Sequence, residues 1–410
     1  MLDIKFIREN PELIKGGLSK RGLDISIIDK ILDTDFKKRK ILTETEELRH
    51  KQKGLNKDQI KEAKEIKSQI KKGEDSLSGL ELELDSLLKE IPNLPFSNVP
   101  VGKDENENVV IKEVGEKTKF AFKPKDYLEI AQKFDLIDIS KAAKVAGSRF
   151  GYLKNEAVLL EFALIKLTFD ILLPENFISV IPPVMIKPEV YQGMGRLSES
   201  QKEERYYLEK DNLYLIGSAE HTLGPLHLDS ILKEDELPKR YLGFSTCFRK
   251  EAGSYGKDTR GILRVHQFDK MEMFSFVQPE NSEKEHQFLL EMQEKIMRAL
   301  DLPYRVVEIC TGDIGFTDAR QYDIEAWFPT QNKYRETHSC SNTTDFQARG
   351  INAKYRRNSD GKTEFVHMLN ATAIAIGRTI IAIIENCQQK DGTVKIPEVL
   401  QKYLGKDLIS

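Results

Sequence analysis

Between Asp29 and Glu90 the chain contains no proline and only three glycines, Gly54, Gly73 and Gly79, and the run stops at Ile91-Pro92-Asn93-Leu94-Pro95. A stretch this long without a strong helix breaker, closed by two prolines, reads as helix. In its second half, positions alternately three and four apart are Ala63, Ile66, Ile70, Gly73, Leu77, Leu80, Leu84, Leu87 and Ile91. That spacing predicts a coiled-coil seam with one defect, Gly73, and leaves open whether the hairpin bends there. The same spacing in the first half gives Ile31, Thr34, Lys38, Ile41, Thr45, Leu48, Gln52 and Leu55. Only half of these are apolar, so this helix needs its neighbour in order to form. The two make a helical hairpin over about 29–90, with the turn expected at Gly54, Leu55 and Asn56, because glycine and asparagine tolerate left-handed backbone.

The hairpin concentrates charge. The 410 residues are 31% charged and carry a net charge of −3, yet between positions 49 and 72 the cations Arg49, Lys51, Lys53, Lys57, Lys61, Lys64, Lys67, Lys71 and Lys72 face only Asp58, Glu62 and Glu65. A charged helix is ordinarily a solvated face. Here the one-sided balance favours a phosphate backbone, held by charge without base reading and released by salt, with Arg49, Lys51, Lys53, Lys57, Lys61 and Lys64 at the contact.

A chain this long implies more than one domain. The composition divides it into an N-terminal domain at 1–97, a linker at 98–119 rich in Asn, Glu, Lys and Val, and a second domain at 120–410. In the second domain a helix is expected over 156–173, stopped by Pro174, with further helices at 283–300 and 379–389. Strands are expected at 178–181, 213–216, 263–276 and 322–328, which together give an α+β fold with an antiparallel sheet. Cys247, Cys310, Cys340 and Cys387 lie too far apart for a disulfide framework or a zinc site, which suits a reducing cytoplasm. No signal peptide or membrane span is expected.

The segment from Tyr241 to Phe276 holds the most chemistry. A strand ending in Phe248-Arg249-Lys250-Glu251 leads into a loop with Gly253, Ser254, Gly256, Lys257, Asp258, Arg260 and Gly261, basic and flexible enough to close over an anion. On the return strand, a period of two puts Arg264, His266, Phe268, Lys270 and Glu272 on one face and Leu263, Val265, Met271 and Met273 on the other. One face is apolar. The other offers a guanidinium for phosphate, an aromatic plane for a base and a carboxylate for an ammonium or hydroxyl, unless it is merely a salt-bridged surface.

These residues resemble a known family. Cys247-Phe248-Arg249-Lys250-Glu251-Ala252-Gly253, Asp258-Thr259-Arg260-Gly261 and Arg264-Val265-His266-Gln267-Phe268 are similar to motif 2 of class II aminoacyl-tRNA synthetases in its seryl form. Pro182-Pro183 resembles motif 1, Asn370 to Arg378 resembles motif 3, and Tyr334-Arg335-Glu336-Thr337-His338-Ser339-Cys340-Ser341-Asn342 resembles another seryl signature. The resemblance implies a class II antiparallel sheet flanked by helices, an N-terminal hairpin that holds the long arm of tRNA(Ser), and a homodimer. It also implies activation of L-serine by ATP with Mg²⁺ and transfer of serine to tRNA(Ser), with tRNA(Sec) as a second acceptor to be tested. Carried over residue by residue, ATP falls to Arg249, Glu251, Arg264, Val265, Phe268, Glu336, Ser339 and Arg378. The magnesium ligands among these are Glu336 and Ser339, and serine falls to Ser218, Glu220, Arg249, Glu272, Asn370 and Thr372. The catalytic charges are Arg249, Arg264 and Arg378. No side chain is expected to form a covalent intermediate, since positioning and charge neutralisation suffice for adenylate formation.

The sequence departs from the commonest seryl pattern at several places. Ser218-Ala219-Glu220 stands for Thr-Ala-Glu and continues as His221-Thr222-Leu223-Gly224-Pro225, Asn370-Ala371-Thr372 stands for Asn-Gly-Ser, and His338 and Gly350 are unusual. A hydroxyl is retained at both 218 and 372. Two rival readings are weighed. An amino acid ligase acting on a carrier protein would lack the basic hairpin and would use cysteines on zinc. A non-catalytic tRNA-binding paralogue would be expected to lose one of Arg249, Glu251, Glu272, Glu336 or Arg378, and all five are present.

Overall fold

The computed structural model describes residues 1–56, 59–252 and 260–410, with the backbone alone at 199–200. It divides into two compact units, Met1–Leu94 and Pro95–Ser410.

In the first unit the hairpin consists of α1 (Ser26–Lys53, 28 residues) and α2 (Ile60–Lys89, 30 residues). At 1.5 Å per residue each is about 42–45 Å long. Every position of both sequence-derived series is buried or half-buried, and Ile31, Thr34, Thr45, Ile66, Ile70 and Leu84 are buried outright. Cross-hairpin pairs flank the seam, Lys38 with Glu81 at 3.1 Å and Arg49 with Glu74 at 2.6 Å. At the base, Ile7, Ile14 and Leu18 from two short N-terminal helices close a core with Ile28, Ile31, Leu84 and Ile91.

Two of the hairpin glycines take roles that spacing alone does not give. Helix α2 runs unbroken through Gly73. A Cβ at that position would collide with Thr45 Oγ1, so the missing side chain lets the two helices approach rather than marking a bend. Helix α1 ends on Gly54 with φ −86°, so the turn does not use left-handed backbone at that glycine.

The second unit is built on an eight-stranded sheet. In chain order its strands are β1 (Val109–Val114), β2 (Phe177–Val180), β3 (Lys239–Phe248), β4 (Gln267–Val277), β5 (Tyr304–Glu308), β6 (Arg320–Phe328), β7 (Lys333–Asn342) and β8 (His367–Ala375). Their spatial order is β1-β5-β6-β7-β8-β4-β3-β2, antiparallel throughout except for the parallel pair β2–β3. Helices α3 (Glu156–Leu172), α4 (Ser282–Ala299) and α5 (Ile376–Asn386) cover one face, where Met271 and Met273 of β4 meet Leu160, Leu164, Leu289 and Ile380 in a single apolar core. The segment expected to be a linker contributes β1, which pairs with β5 at the sheet edge. Its Val109, Val110 and Ile111 are exposed, so it carries no strong burial pattern for sequence reading to detect. The strand expected over 213–216 is Leu213–Leu215, in a separate three-stranded sheet with Met185–Ile186 and Tyr207–Leu208.

Candidate active site

The face of the large sheet opposite the helices is polar, and two β-bulges decide what it presents. Glu336 pairs with Glu325 and His338 with Ile324, which leaves Thr337 as an extra residue on β7. In a regular strand, residues three apart face opposite ways; the extra residue resets the alternation, and both Glu336 and Ser339 line one cavity. On β8, Ala373 is the extra residue, because Met271 pairs with Ile374 and Glu272 with Thr372. The cavity holds about 540 Å³, within the range of small-molecule sites. Arg249, Glu251, Arg264, Val265, Phe268, Glu336, Ser339 and Arg378, expected to bind ATP, and Ser218, Glu220, Glu272, Asn370 and Thr372, expected to bind serine, all line it.

The bottom of the cavity is built for a small polar group. Lys270 Nζ lies 2.5 Å from Glu272 Oε2, with the two side chains 8% and 2% exposed, and Ser218 Oγ donates to the same carboxylate at 3.1 Å. Burial raises the Glu272 pKa above the usual carboxylate value by more than Lys270 lowers it. Burial also works to raise Glu220, but Arg196, 2.7 Å away, outweighs it and holds the pKa below the ordinary value, helped by Gln347 at 3.1 Å. The Asn370 side-chain nitrogen is buried without a hydrogen-bond partner. Such a group costs free energy unless something enters to satisfy it.

Toward the mouth the charges are paired one to one. Arg264 Nη1 is 3.1 Å from Glu251 Oε2, and Arg378 Nη1 is 3.2 Å from Glu336 Oε2 and donates to the Glu336 carbonyl at 2.9 Å. Arg249 donates from Nε to Gly217 O at 3.1 Å, and its guanidinium centre lies 5.3 Å from the Phe268 ring centroid. Glu251 sits at φ 53°, a left-handed conformation that a non-glycine residue adopts only when its surroundings impose it. The Glu336 side chain is 48% exposed. Burial of its surroundings raises its pKa, but the charges of Arg378 and Arg249 prevail and leave it below the usual value.

One part of the strand reading fails. Residues before Gln267 are not extended, so Arg264 and Val265, expected on opposite faces, both line the cavity, and His266 instead bonds through Nδ1 to Arg249 O at 2.9 Å. The loop residues Gly253, Ser254, Gly256, Lys257, Asp258 and Thr259, and Lys57 of the hairpin, lie outside the described residues. Lys51, Lys53, Lys61 and Lys64 are exposed, as is Arg49, which is tied to Glu74. Sequence reading missed Arg196, Arg205 and Asp318 in the cavity wall. Arg196 and Asp318 approach to 3.7 Å from 122 positions apart, with no motif to announce them.

The antiparallel sheet, the paired arginines on it and the helix beginning at Ile376 are the frame of a class II aminoacyl-tRNA synthetase, and the family model "tRNA synthetase class II core domain (G, H, P, S and T)" matches residues 205–387. Residues 1–95 match the "Seryl-tRNA synthetase N-terminal domain". The chain is 46% identical to a serine–tRNA ligase of Dictyoglomus turgidum, over 99% of this chain and 98% of that protein. Among solved structures it superposes on seryl-tRNA synthetase from Pyrococcus horikoshii complexed with ATP, with a TM-score of 0.94 and 43% identity, covering 100% of this chain and 99% of that one. The cytoplasmic serine–tRNA ligase of Naegleria fowleri in complex with AMP gives 0.91 and 34%, covering 100% and 99%. The chain belongs to the seryl-tRNA synthetase family.

Proposed function

We propose that the protein is a serine–tRNA ligase that couples L-serine to ATP, releases pyrophosphate, and transfers serine from the adenylate to the 3′ end of tRNA(Ser). The observation that carries this is the joining, in one cavity, of three arginines able to receive phosphate with a buried hydroxyl-reading group formed by Glu272, Lys270, Ser218 and Thr372. The serine carboxylate attacks the α-phosphate while pyrophosphate departs, and Arg249, Arg264 and Arg378 neutralise the charge that accumulates. For Arg264 and Arg378 this means exchanging Glu251 and Glu336 for phosphate oxygens. The nearby cysteines are poor nucleophiles, since burial pushes the Cys247 thiol up to about 11 and Cys340 well above its ordinary value. A site that bonds the serine hydroxyl rejects alanine because its own buried groups would be left unpaired.

Among the described residues no three His, Cys, Asp or Glu side chains cluster as a complete metal cage. Glu336 and Ser339 nevertheless supply two oxygens on one face, which suits a hard ion whose other ligands are phosphate and water. They would hold Mg²⁺, which supplies charge neutralisation between phosphates when bound. The basic end of the hairpin receives the tRNA backbone. Leu159 and Phe162 of α3, and Ile178 and Ile181, are apolar and exposed, which supports a homodimer that covers them. No helix among the described residues is long and apolar enough to cross a membrane. tRNA(Sec) is the second acceptor to test.

The direct test is ATP–pyrophosphate exchange with Mg²⁺ and serine, threonine, alanine or glycine, with Arg249→Ala as the control. Exchange led by serine and lost in the variant supports the reading. Exchange led by glycine or alanine points to a carrier-protein ligase, and no exchange points to a tRNA binder without chemistry.

A further inference from the structure

Five of the six cations in the cavity wall have a place to rest their charge: Arg196 on Glu220, Arg264 on Glu251, Arg378 on Glu336, Lys270 on Glu272, and Arg249, through Nε, on Gly217 O. Arg205 is different. Its Nε is buried without a hydrogen-bond partner. Its guanidinium centre stands 5.7 Å from the Tyr191 ring centroid. It is also adjacent to Arg249: a Cβ placed on Gly217 would lie 3.1 Å from Arg205 Nη1 and 3.5 Å from Arg249 Cγ.

The counter-charge around it is weak: Glu204 of the same wall favours the charged guanidinium, but by less than burial and the neighbouring arginines oppose it. His221 Nδ1 lies 2.9 Å from the Tyr191 hydroxyl and accepts from the Gly217 N–H at 3.1 Å. Since that N–H can only donate, Nδ1 carries no proton and the imidazole is neutral, in line with a pKa driven well below its usual value by burial and then by Arg205, Arg196 and Arg249. Two adjacent cations in a sheltered wall are unfavourable unless an anion binds between them.

We propose that Arg205 joins Arg249 in holding one oxyanion of the substrates, either the amino-acid carboxylate or the α-phosphate it attacks. This rests on the reading given under Proposed function and adds a second ligand-touching cation to it. A charge-assisted hydrogen bond to an oxyanion is strong enough that its loss should weaken binding by about tenfold or more.

The experiment compares the full-length chain with Arg205→Met, which keeps most of the aliphatic stem, and with Arg205→Lys. Equilibrium binding of serine alone and of ATP alone is measured beside the KM of each in pyrophosphate exchange. A loss of about tenfold or more confined to serine, partly restored in Arg205→Lys, assigns the carboxylate; the same loss confined to ATP assigns the α-phosphate. Affinities and KM values within twofold of the parent for both ligands overturn the proposal and reduce Arg205 to a group packed on Tyr191. If Arg205→Met does not fold, the same comparison with Arg205→Lys and Arg205→Gln decides by the same criterion. A parent chain that shows no serine-dependent exchange is a failure of the functional reading itself; binding of ATP by the parent, retained or lost in the variant, then still decides the role of Arg205.

Discussion

Replacing Lys270 by methionine removes one half of a buried pair while nearly conserving volume. In the parent, Nζ is 2.5 Å from Glu272 Oε2 and neither side chain is more than 8% exposed. Leaving the carboxylate alone in that place costs about 3–5 kcal/mol, unless the protein avoids the charge by protonating Glu272. Burial already raises that pKa against the pull of Lys270, and without the lysine it rises further. At neutral pH the unfolded chain holds the same carboxyl ionised, so the folded variant binds one proton that the unfolded variant lacks. Stability of Lys270→Met therefore falls as pH rises, by up to about 1.4 kcal/mol per unit, and its deficit against the parent grows with pH. For a unit of roughly 300 residues, about 3–5 kcal/mol lowers the melting midpoint by about 5–8 °C. Calorimetric scans of both proteins at pH 5, 6, 7 and 8 measure this, and pyrophosphate exchange with serine and alanine reads the accompanying loss of selectivity. A deficit that stays constant from pH 5 to 8, or an unchanged serine preference, would refute the account of Lys270 as the charge that offsets burial of the Glu272 carboxyl.

Other outcomes follow from the same geometry. Changing Lys51, Lys53, Lys61 and Lys64 together to glutamine should leave serine-dependent exchange intact while raising the KM for tRNA. Measured against salt, tRNA binding should lose about 0.9 in log–log slope for each phosphate contact removed. Gly73→Ala gains about 1 kcal/mol of helix propensity but drives a methyl into Thr45, at a packing cost of about 1–3 kcal/mol. Hydrogen exchange of hairpin amides should show loosening in the single variant and tightening when Thr45→Ala is added. In the second unit, burial and then the neighbouring Asp269 raise Glu161 to about 8. Its contribution to stability is complete below pH 4.5 and lost as pH rises through 8, so Glu161→Gln should flatten the fall in melting temperature between pH 6 and 8.

The hairpin was readable because a seam leaves a period in the sequence, and both series of seam positions pack as the spacing requires. The role of Gly73 was not readable, because a missing side chain looks the same in sequence whether the helix bends there or its partner comes close. The sheet was visible only in part: β2, β3, β4 and β6 were expected, whereas β1, with three exposed apolar residues, read as a linker, and the buried β5 and β8 were not expected. Motif resemblance located the candidate ligand-binding residues, and periodicity alone would have separated some of them. Period two divides Arg264 from Val265 and Glu336 from Ser339, yet a bend before β4 and a bulge in β7 put each pair in the same cavity. Arg196 and Asp318 left no trace, because each acquires its significance only from a partner distant in the chain.

The bulges at Thr337 and Ala373 make the site depend on counting as well as on composition. A strand assigns its side chains by parity, so removing either extra residue would reverse the facing of the residues beyond it without changing a single functional group. Substitutions can adjust the cavity by degrees, whereas a one-residue deletion there exchanges its lining for the core's. Length in β7 and β8 is therefore constrained even at positions whose own side chains could vary, and lengthening or shortening of the chain should be absorbed in the loops that join these strands.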